Sequence, residues 1–292
     1  MHQPEPDILQ GALLIARHRH PTATLTDVTD RLDDIAEQLI PKLPESRYPM
    51  KIISTMSQHL YNELGFQGAT DYYLPENSCI NFVMSERQGI PITLALVYME
   101  VAKRVGFDVY GVNVPGRFYL TPADPDLEFL IDPFDLGSVA FLDDVSVTLE
   151  SIYGRPIKLQ SAAIFQKKEQ IASRVFLARM LNNLKAIYAT KKDYAAALQM
   201  SQYLRATRPG DLEEVREMGF ILFHLKRFQE CAAALIEYLE RAPHDASDAP
   251  KVRKILQKIR GVMDGTDIIV LSSSEEEDDD EDGGGGGGGY RE

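Results

Sequence analysis

Two cysteines and six histidines are the residues of this chain whose types could do thiol and imidazole chemistry. Cys79 and Cys231 lie 152 positions apart with no paired spacing, so neither a disulfide framework nor a zinc knuckle is suggested, and a reducing compartment fits. No metal or cofactor is expected. Cys79 stands at the start of an apolar-periodic segment, and a helix N-terminus lowers a thiol pKa. A thiolate there would still need a base within hydrogen-bond reach and a third group to fix the base's tautomer. The plainer reading is a small side chain buried in the first turn of a helix, because free cysteine is among the most buried residue types.

Helices must position these groups first. Apolar side chains recur at helical spacing from about Ile8 to Arg17, from Val28 to Ile40 and from Ile52 to Leu64, the last stopped by Gly65. Pro41 and Pro44 end the second run. Ser78, with Asn77 as the alternative, is placed to cap a helix through Ile80, Val83 and Met84 that Gly89 closes. Pro91 suits the first turn of the next helix, whose stripe is Leu94, Val97, Tyr98, Val101, Ala102 and Val105.

From Phe107 the period changes to two. Phe107, Val109, Gly111, Val112, Val114, Phe118 and Leu120 read as short strands broken at Pro115-Gly116, and Phe129 to Ile131 as another. Helices followed by strands predict an α+β domain. After about Gln170 helices return, and the chain matches itself at a shift of 34, with Tyr194 falling on Phe228, Ala197 on Cys231, Leu204 on Tyr238 and Ile187 on Ile221. That is the tetratricopeptide period. Two units, about 178–209 and 212–243, are expected, with Val252, Ile255 and Ile259 on a capping helix. A plain helical bundle is the alternative.

The formal net charge of −13 is unevenly placed: eleven acidic residues against Arg291 alone from Asp264 onward leave −3 for everything before. The folded part lacks the clustered cations that nucleic-acid binding needs. No stretch reaches the roughly 18 unbroken apolar residues of a membrane helix, and Met1 to Leu9 lack a signal core. An intracellular, soluble protein of the cytoplasm or nucleus is expected, or of an organelle if a targeting segment precedes this start. From Ser272 the three serines, eight acids and seven glycines read as disordered.

The segments Tyr72-Tyr73-Leu74-Pro75-Glu76-Asn77-Ser78, Arg87-Gln88-Gly89-Ile90-Pro91-Ile92-Thr93-Leu94, Gly111-Val112-Asn113-Val114-Pro115-Gly116-Arg117-Phe118 and Ile131-Asp132-Pro133-Phe134 resemble, in this order and spacing, the Sir B family of transglutaminase-like proteins. The resemblance covers roughly residues 8–260. It implies an α+β, papain-like domain of helices and an antiparallel sheet over 8–165, followed by the tetratricopeptide-like array over 170–262; the acidic and glycine-rich tail is 264–292. It also implies a triad of thiol, His and carboxylate. At the helix start Pro91 or Thr93 would hold the nucleophile position, depending on register. The strand motif reads Pro-Gly-Arg-Phe where the family has His, and a guanidinium at Arg117 cannot be a general base. Of the three roles Asp132 alone keeps its residue type. His2, His18, His20, His59, His224 and His244 fall outside the region that would build the site.

The missing thiol and base imply a pseudoenzyme, and the stacked helix pairs would either form a groove for a protein or peptide partner or merely brace the first domain. Cys79 as a substitute thiol would make it an amidase, protease or acyl transferase instead. Arg117 and Asp132 would form a structural pair, line a carboxylate pocket, or not touch. Asn77, Arg87 and Asn113 belong to the family pattern, yet capping, surface charge and turn formation account for them as well. In the tail, Ile268, Ile269, Val270 and Leu271, followed by serines and acids, resemble a SUMO-interacting motif that adds a strand to its partner; an inert solubilising tail is the alternative.

Overall fold

The computed structural model describes residues 5–114, 116–124, 126–157, 159, 164–165, 172–243 and 245–263. Pro115, His2, His244 and the whole tail, with Ile268 to Leu271, lie outside the described residues. Contacts divide the chain into two units after Met180.

The first unit opens with α1 (Ile8–Ala16), capped by Asp7, and α2 (Leu25–Leu39), capped by Thr24. In both, the cap oxygen accepts a backbone N–H of the first turn, as helix starts require. The third predicted run is α3 (Pro49–Ser57), continuing as one π-helical stretch (Gln58–Glu63). Then come β1 (Gln67–Gly68), a 3-10 turn (Pro75–Ser78), α4 (Ile80–Glu86), β2 (Gln88–Gly89) and α5 (Pro91–Arg104). β1 and β2 form a two-residue parallel bridge, Gln67 with Gln88 and Gly68 with Gly89, too short to carry a periodic signal.

An antiparallel sheet follows in the order β3-β4-β5-β6: Val109–Val114, Arg117–Pro122, Leu130–Asp132 and Ser138–Ala140. Gly116, at φ 71° in the turn between β3 and β4, adopts a conformation that favours glycine. The sheet is buried on both faces. Val112, Val114, Tyr119 and Leu130 form one core with Val145 and Leu149 of α6 (Leu142–Tyr153) and with Phe165. Phe118, Leu120 and Ile131, of opposite pleat, are equally buried, and α5 packs on β3 and β4. Helices plus a small antiparallel sheet make the unit α+β, as expected.

The second unit is helical. α7 (Ser173–Thr190) runs through the division, followed by α8 (Tyr194–Thr207), α9 (Leu212–His224), α10 (Phe228–Arg241) and α11 (Ala249–Met263). The 34-residue shift maps the start of α8 on that of α10. Ala197 and Cys231, Leu204 and Tyr238, and Ile187 and Ile221 are all buried. α9 and α10 meet closely at Gly219, where a Cβ would come within 2.5 Å of Leu235. Lys185 donates to Glu214 at 2.6 Å and to Glu217, and Ser201 donates to the other Glu214 oxygen. Burial raises the Glu214 pKa, and Lys185 and Ser201 act against the rise.

Candidate functional site

The α4–α5 junction gathers the first group of family-motif residues. The predicted cap differs: Cys79, not Ser78 or Asn77, is the N-cap of α4, and Ser78 ends the 3-10 turn before it. The Cys79 thiol is fully buried and points back to the carbonyl of Pro75, 3.7 Å away. Burial pushes it up to about 12, with Glu76 adding to the rise and Arg19 opposing it. Desolvation therefore outweighs any lowering from the start of this seven-residue helix. Nor does Gly89 close α4. Arg87 does, in the left-handed conformation at φ 58°, while donating to the carbonyl of Leu64.

Gly89 serves a different need. A Cβ there would stand 2.8 Å from the Thr93 hydroxyl oxygen, too close for any side chain. That oxygen accepts the N–H of Ile90 at 3.0 Å, and its single hydrogen has the carbonyl of Asn77 at 2.9 Å and that of Ile90 at 3.1 Å as acceptors. Thr93 thus ties the start of α5 to the 3-10 turn. Asn77 in turn donates to the carbonyl of Asp71 at 2.8 Å. Pro91 occupies the first turn of α5, as its missing N–H favours.

The β3–β4 hairpin gathers the second group. Register places Leu120 opposite Ile131, so Arg117 and Asp132 share a face on neighbouring strands, and they meet: Arg117 Nη1 lies 3.1 Å from Asp132 Oδ2. The other Asp132 oxygen accepts the N–H groups of Phe134 at 2.9 Å and Asp135 at 3.2 Å, closing the turn after β5. Burial lifts the Asp132 pKa above the ordinary aspartate value, and the Phe134 N–H and the Arg117 charge do not cancel the lift.

Arg179 of α7, absent from the sequence reading, reaches this hairpin. It donates to the Asn113 side chain and to the carbonyls of Arg117 at 3.1 Å and Val114 at 3.5 Å, and its guanidinium lies 5.8 Å from the centre of the Phe118 ring. Phe176, one turn earlier, meets Phe118 edge to face at 5.2 Å. Burial lowers the Arg179 pKa, with Tyr72 and Tyr153 acting the other way. Tyr153 of α6 also bounds the turn: a Cβ on Gly116 would come 2.9 Å from its hydroxyl.

Residues 26–182 match the profile of the transglutaminase-like superfamily. The chain belongs to that superfamily. In this transglutaminase-like protein residues 184–257 match a tetratricopeptide repeat. It is similar to a UPF0162 protein of Xylella fastidiosa, 28% identical over 81% of this chain and 84% of the relative. A UPF0162 protein of Pseudomonas aeruginosa is 27% identical over 88% of this chain and 91% of its own length. F-box only protein 21 of Pongo abelii is 29% identical over 80% of this chain and 41% of that protein. No solved structure matches the chain.

In the transglutaminase-like unit the hydroxyl at Thr93 and the carboxylate at Asp132 are both held by main-chain groups. Arg117 offers a permanent cation and no proton-accepting atom. Among the described residues no cluster of three or more His, Cys, Asp or Glu could hold a metal ion, and no helix is long and apolar enough to cross a membrane.

Arg179 left no local signal in the sequence. It sits on a helix of the expected period, and what distinguishes it is only the hairpin, more than sixty positions earlier, against which the helix docks.

Proposed function

We propose that this transglutaminase-like chain is a non-catalytic member of the Sir B type, acting as a protein-interaction or scaffold module through its core and its helical repeats. The observation that carries the reading is the Arg117–Asp132 pair at 3.1 Å, a guanidinium where the motif's correspondence calls for an imidazole base. The buried Cys79 thiol, pushed up to about 12, adds support, because a thiol of that pKa supplies almost no nucleophile near neutrality. Stacked helix pairs are protein-binding elements, which is why the partner is taken to be a protein or peptide.

On this reading residues 8–165 form the inactive core, 170–262 the partner-binding array and 264–292 an acidic tail, and the protein works inside the cell. The apolar tetrad Ile268, Ile269, Val270 and Leu271 would be a second contact, adding a strand to a SUMO-like partner beside the acidic run.

The test is the rate at which Cys79 reacts with iodoacetamide from pH 5 to 9, in native protein carrying Cys231→Ser. At pH 8 labelling should run more than about a thousandfold slower than that of an exposed cysteine of ordinary pKa, and should become fast only on unfolding. Rapid labelling with an apparent pKa below about 8 would overturn the reading in favour of a thiol-dependent amidase, protease or acyl transferase.

A further inference from the structure

α2 turns one face to the core and a charged one to solvent. Val28, Leu32, Ile35, Ala36 and Leu39 are buried. On the opposite face Asp27, Asp30, Asp34 and Glu37 follow one another at spacings of three and four, all exposed, and none of the four forms an ion pair with a described residue. Asp33, on the flank, differs in pairing with Arg104 at 2.6 Å. Like charges at spacings of three and four repel across a helix turn. Asp27 suits the start of a helix, but Glu37 stands in the last turn, which holds no cation and where the dipole disfavours an anion. The row therefore works against the helix that carries it.

At its N-terminal end the row runs into a cavity of about 440 Å³, which His20, Asp27, Asp30, Arg31 and Asn81 help to line. Arg31 is committed to α4, where its Nη1 donates to the carbonyl of Met84 at 3.2 Å and to the Ser85 hydroxyl at 3.1 Å. His20 Nε2 and Asn81 Oδ1 are buried and have no hydrogen-bond partner among the described residues, a condition native structures rarely leave unexplained. Both side chains end in a torsion with broad minima, so each can turn toward the cavity. Two carboxylates and an amide oxygen only accept, and the imidazole nitrogen accepts in one tautomer; the cavity calls for a group rich in donors. A second cavity, about 540 Å³, lies on the other flank of α2, but there Asp33 and Glu100 already share Arg104 at 2.6 Å each.

We propose that the outer face of α2 is the docking surface for an extended basic segment of a partner protein, with one arginine of that segment seated in the cavity beside Asp27 and Asp30. A guanidinium brings several donors in a fixed plane, enough for the carboxylates and Asn81 together, where a lysine ammonium serves fewer. From Asp27 to Glu37 the helix rises about 15 Å. Cations on alternate residues of an extended five-residue segment span about 13 Å on one side, so those beyond the cavity fall over Asp34 and Glu37. The pairing of exposed charges is screened by salt. The inference rests on the reading of the core as a protein-interaction module but not on the loss of catalysis, so the reactivity of Cys79 and the binding at α2 fail or hold separately.

The full-length, ¹⁵N-labelled chain is titrated with the peptide acetyl-Arg-Gly-Arg-Gly-Arg-amide, and backbone amide shifts are followed by NMR. Resolved amides separate α2 from the eight consecutive acids at 275–282, which attract any cationic peptide. Residues 22–37 and 81–85 should shift together and saturate with one affinity, and ~1 M salt, where the Debye length is only about 3 Å, should weaken it at least about fivefold. Asp30→Asn with Asp34→Asn should weaken it about fivefold or more, and Asn81→Ser severalfold. Glu213→Gln with Glu240→Gln, which alters exposed acids of α9 and α10, should leave it unchanged. Four results would each overturn the proposal: shifts confined to 275–282 or spread over exposed acids generally; an affinity at α2 indifferent to the two aspartate substitutions; an affinity in Asn81→Ser equal to that of the parent; or equal shifts from acetyl-Glu-Gly-Glu-Gly-Glu-amide.

Discussion

Arg117 and Asp132 meet across neighbouring strands at 3.1 Å, and the carboxylate they share that contact through is also the acceptor that shapes the turn after β5. Its two oxygens have separate partners, Oδ2 facing the guanidinium and Oδ1 facing two main-chain N–H groups. The two parts can be separated by substitution. Asp132→Asn keeps an oxygen for Phe134 and Asp135 and removes the desolvated charge, so it should change stability by less than about 1.5 kcal/mol. Asp132→Ala strands both N–H groups and the buried side of Arg117, and should cost about 2–3 kcal/mol. Urea denaturation of the two variants measures the difference.

The pH dependence has a definite sign. Asp132 and Glu214 both have folded pKa values raised by burial. Just above the ordinary carboxylate range the folded state still holds protons that the unfolded state has released, so stability falls as pH rises through that window. Denaturant midpoints from pH 4 to 7 should show this fall, and it should shrink in Asp132→Asn. An unchanged slope in the variant would assign the effect to other groups.

Gly89 and Thr93 should behave as one coupled pair. Thr93→Val removes the hydroxyl that Ile90 and Asn77 use, and should cost about 1–3 kcal/mol. Gly89→Ala forces a methyl against that hydroxyl and should cost about 1–3 kcal/mol. Both losses act on the same contact between the 3-10 turn and α5, so the double variant should lose less than the sum of the two. Thermal denaturation of the four proteins completes the cycle.

Arg179 fastens the β3–β4 hairpin through a forked set of donors that lysine cannot reproduce. Arg179→Lys should therefore weaken the hairpin nearly as much as Arg179→Ala, by about 1–2 kcal/mol. Amide exchange in residues 113–118 should quicken in both, while exchange in the core of α9 stays as it was. A hairpin equally protected in the alanine variant would remove Arg179 from this role.

In the repeat unit Lys185 neutralises two glutamates, of which Glu214 is 5% exposed. Lys185→Met leaves a buried carboxylate without its cation and should cost about 3 kcal/mol; adding Glu214→Leu should recover much of it. Recovery distinguishes an uncompensated charge from a loss of packing.

Much of this architecture was readable along the chain because its causes are local. Helical periodicity announces α1 to α5, alternation announces β3 and β4, and Gly116 marks their turn at a positive φ that side chains disfavour. A 34-residue echo announced the helix pairs, since each repeat must present the same apolar residues to its neighbour. α6 escaped notice although Asp143 and Asp144 at its start and Gly154 at its end are ordinary helix signals. The bridge β1–β2 is too short to signal anything.

The sequence by itself determined where α1 to α5, the β3–β4 hairpin and the helical repeats lie, and that residue 117 in the strand motif is an arginine. Only the tertiary structure decided the state of the groups that could react. Cys79 looked like a thiol at a helix start, but its solvent is removed by segments distant in sequence, and burial sets its pKa. Thr93 stood at the nucleophile position by resemblance, and its hydroxyl partner Asn77, sixteen positions earlier, lies 2.9 Å away. Period and turn chemistry are properties of neighbours along the chain, whereas desolvation and hydrogen-bond partners come from neighbours in space.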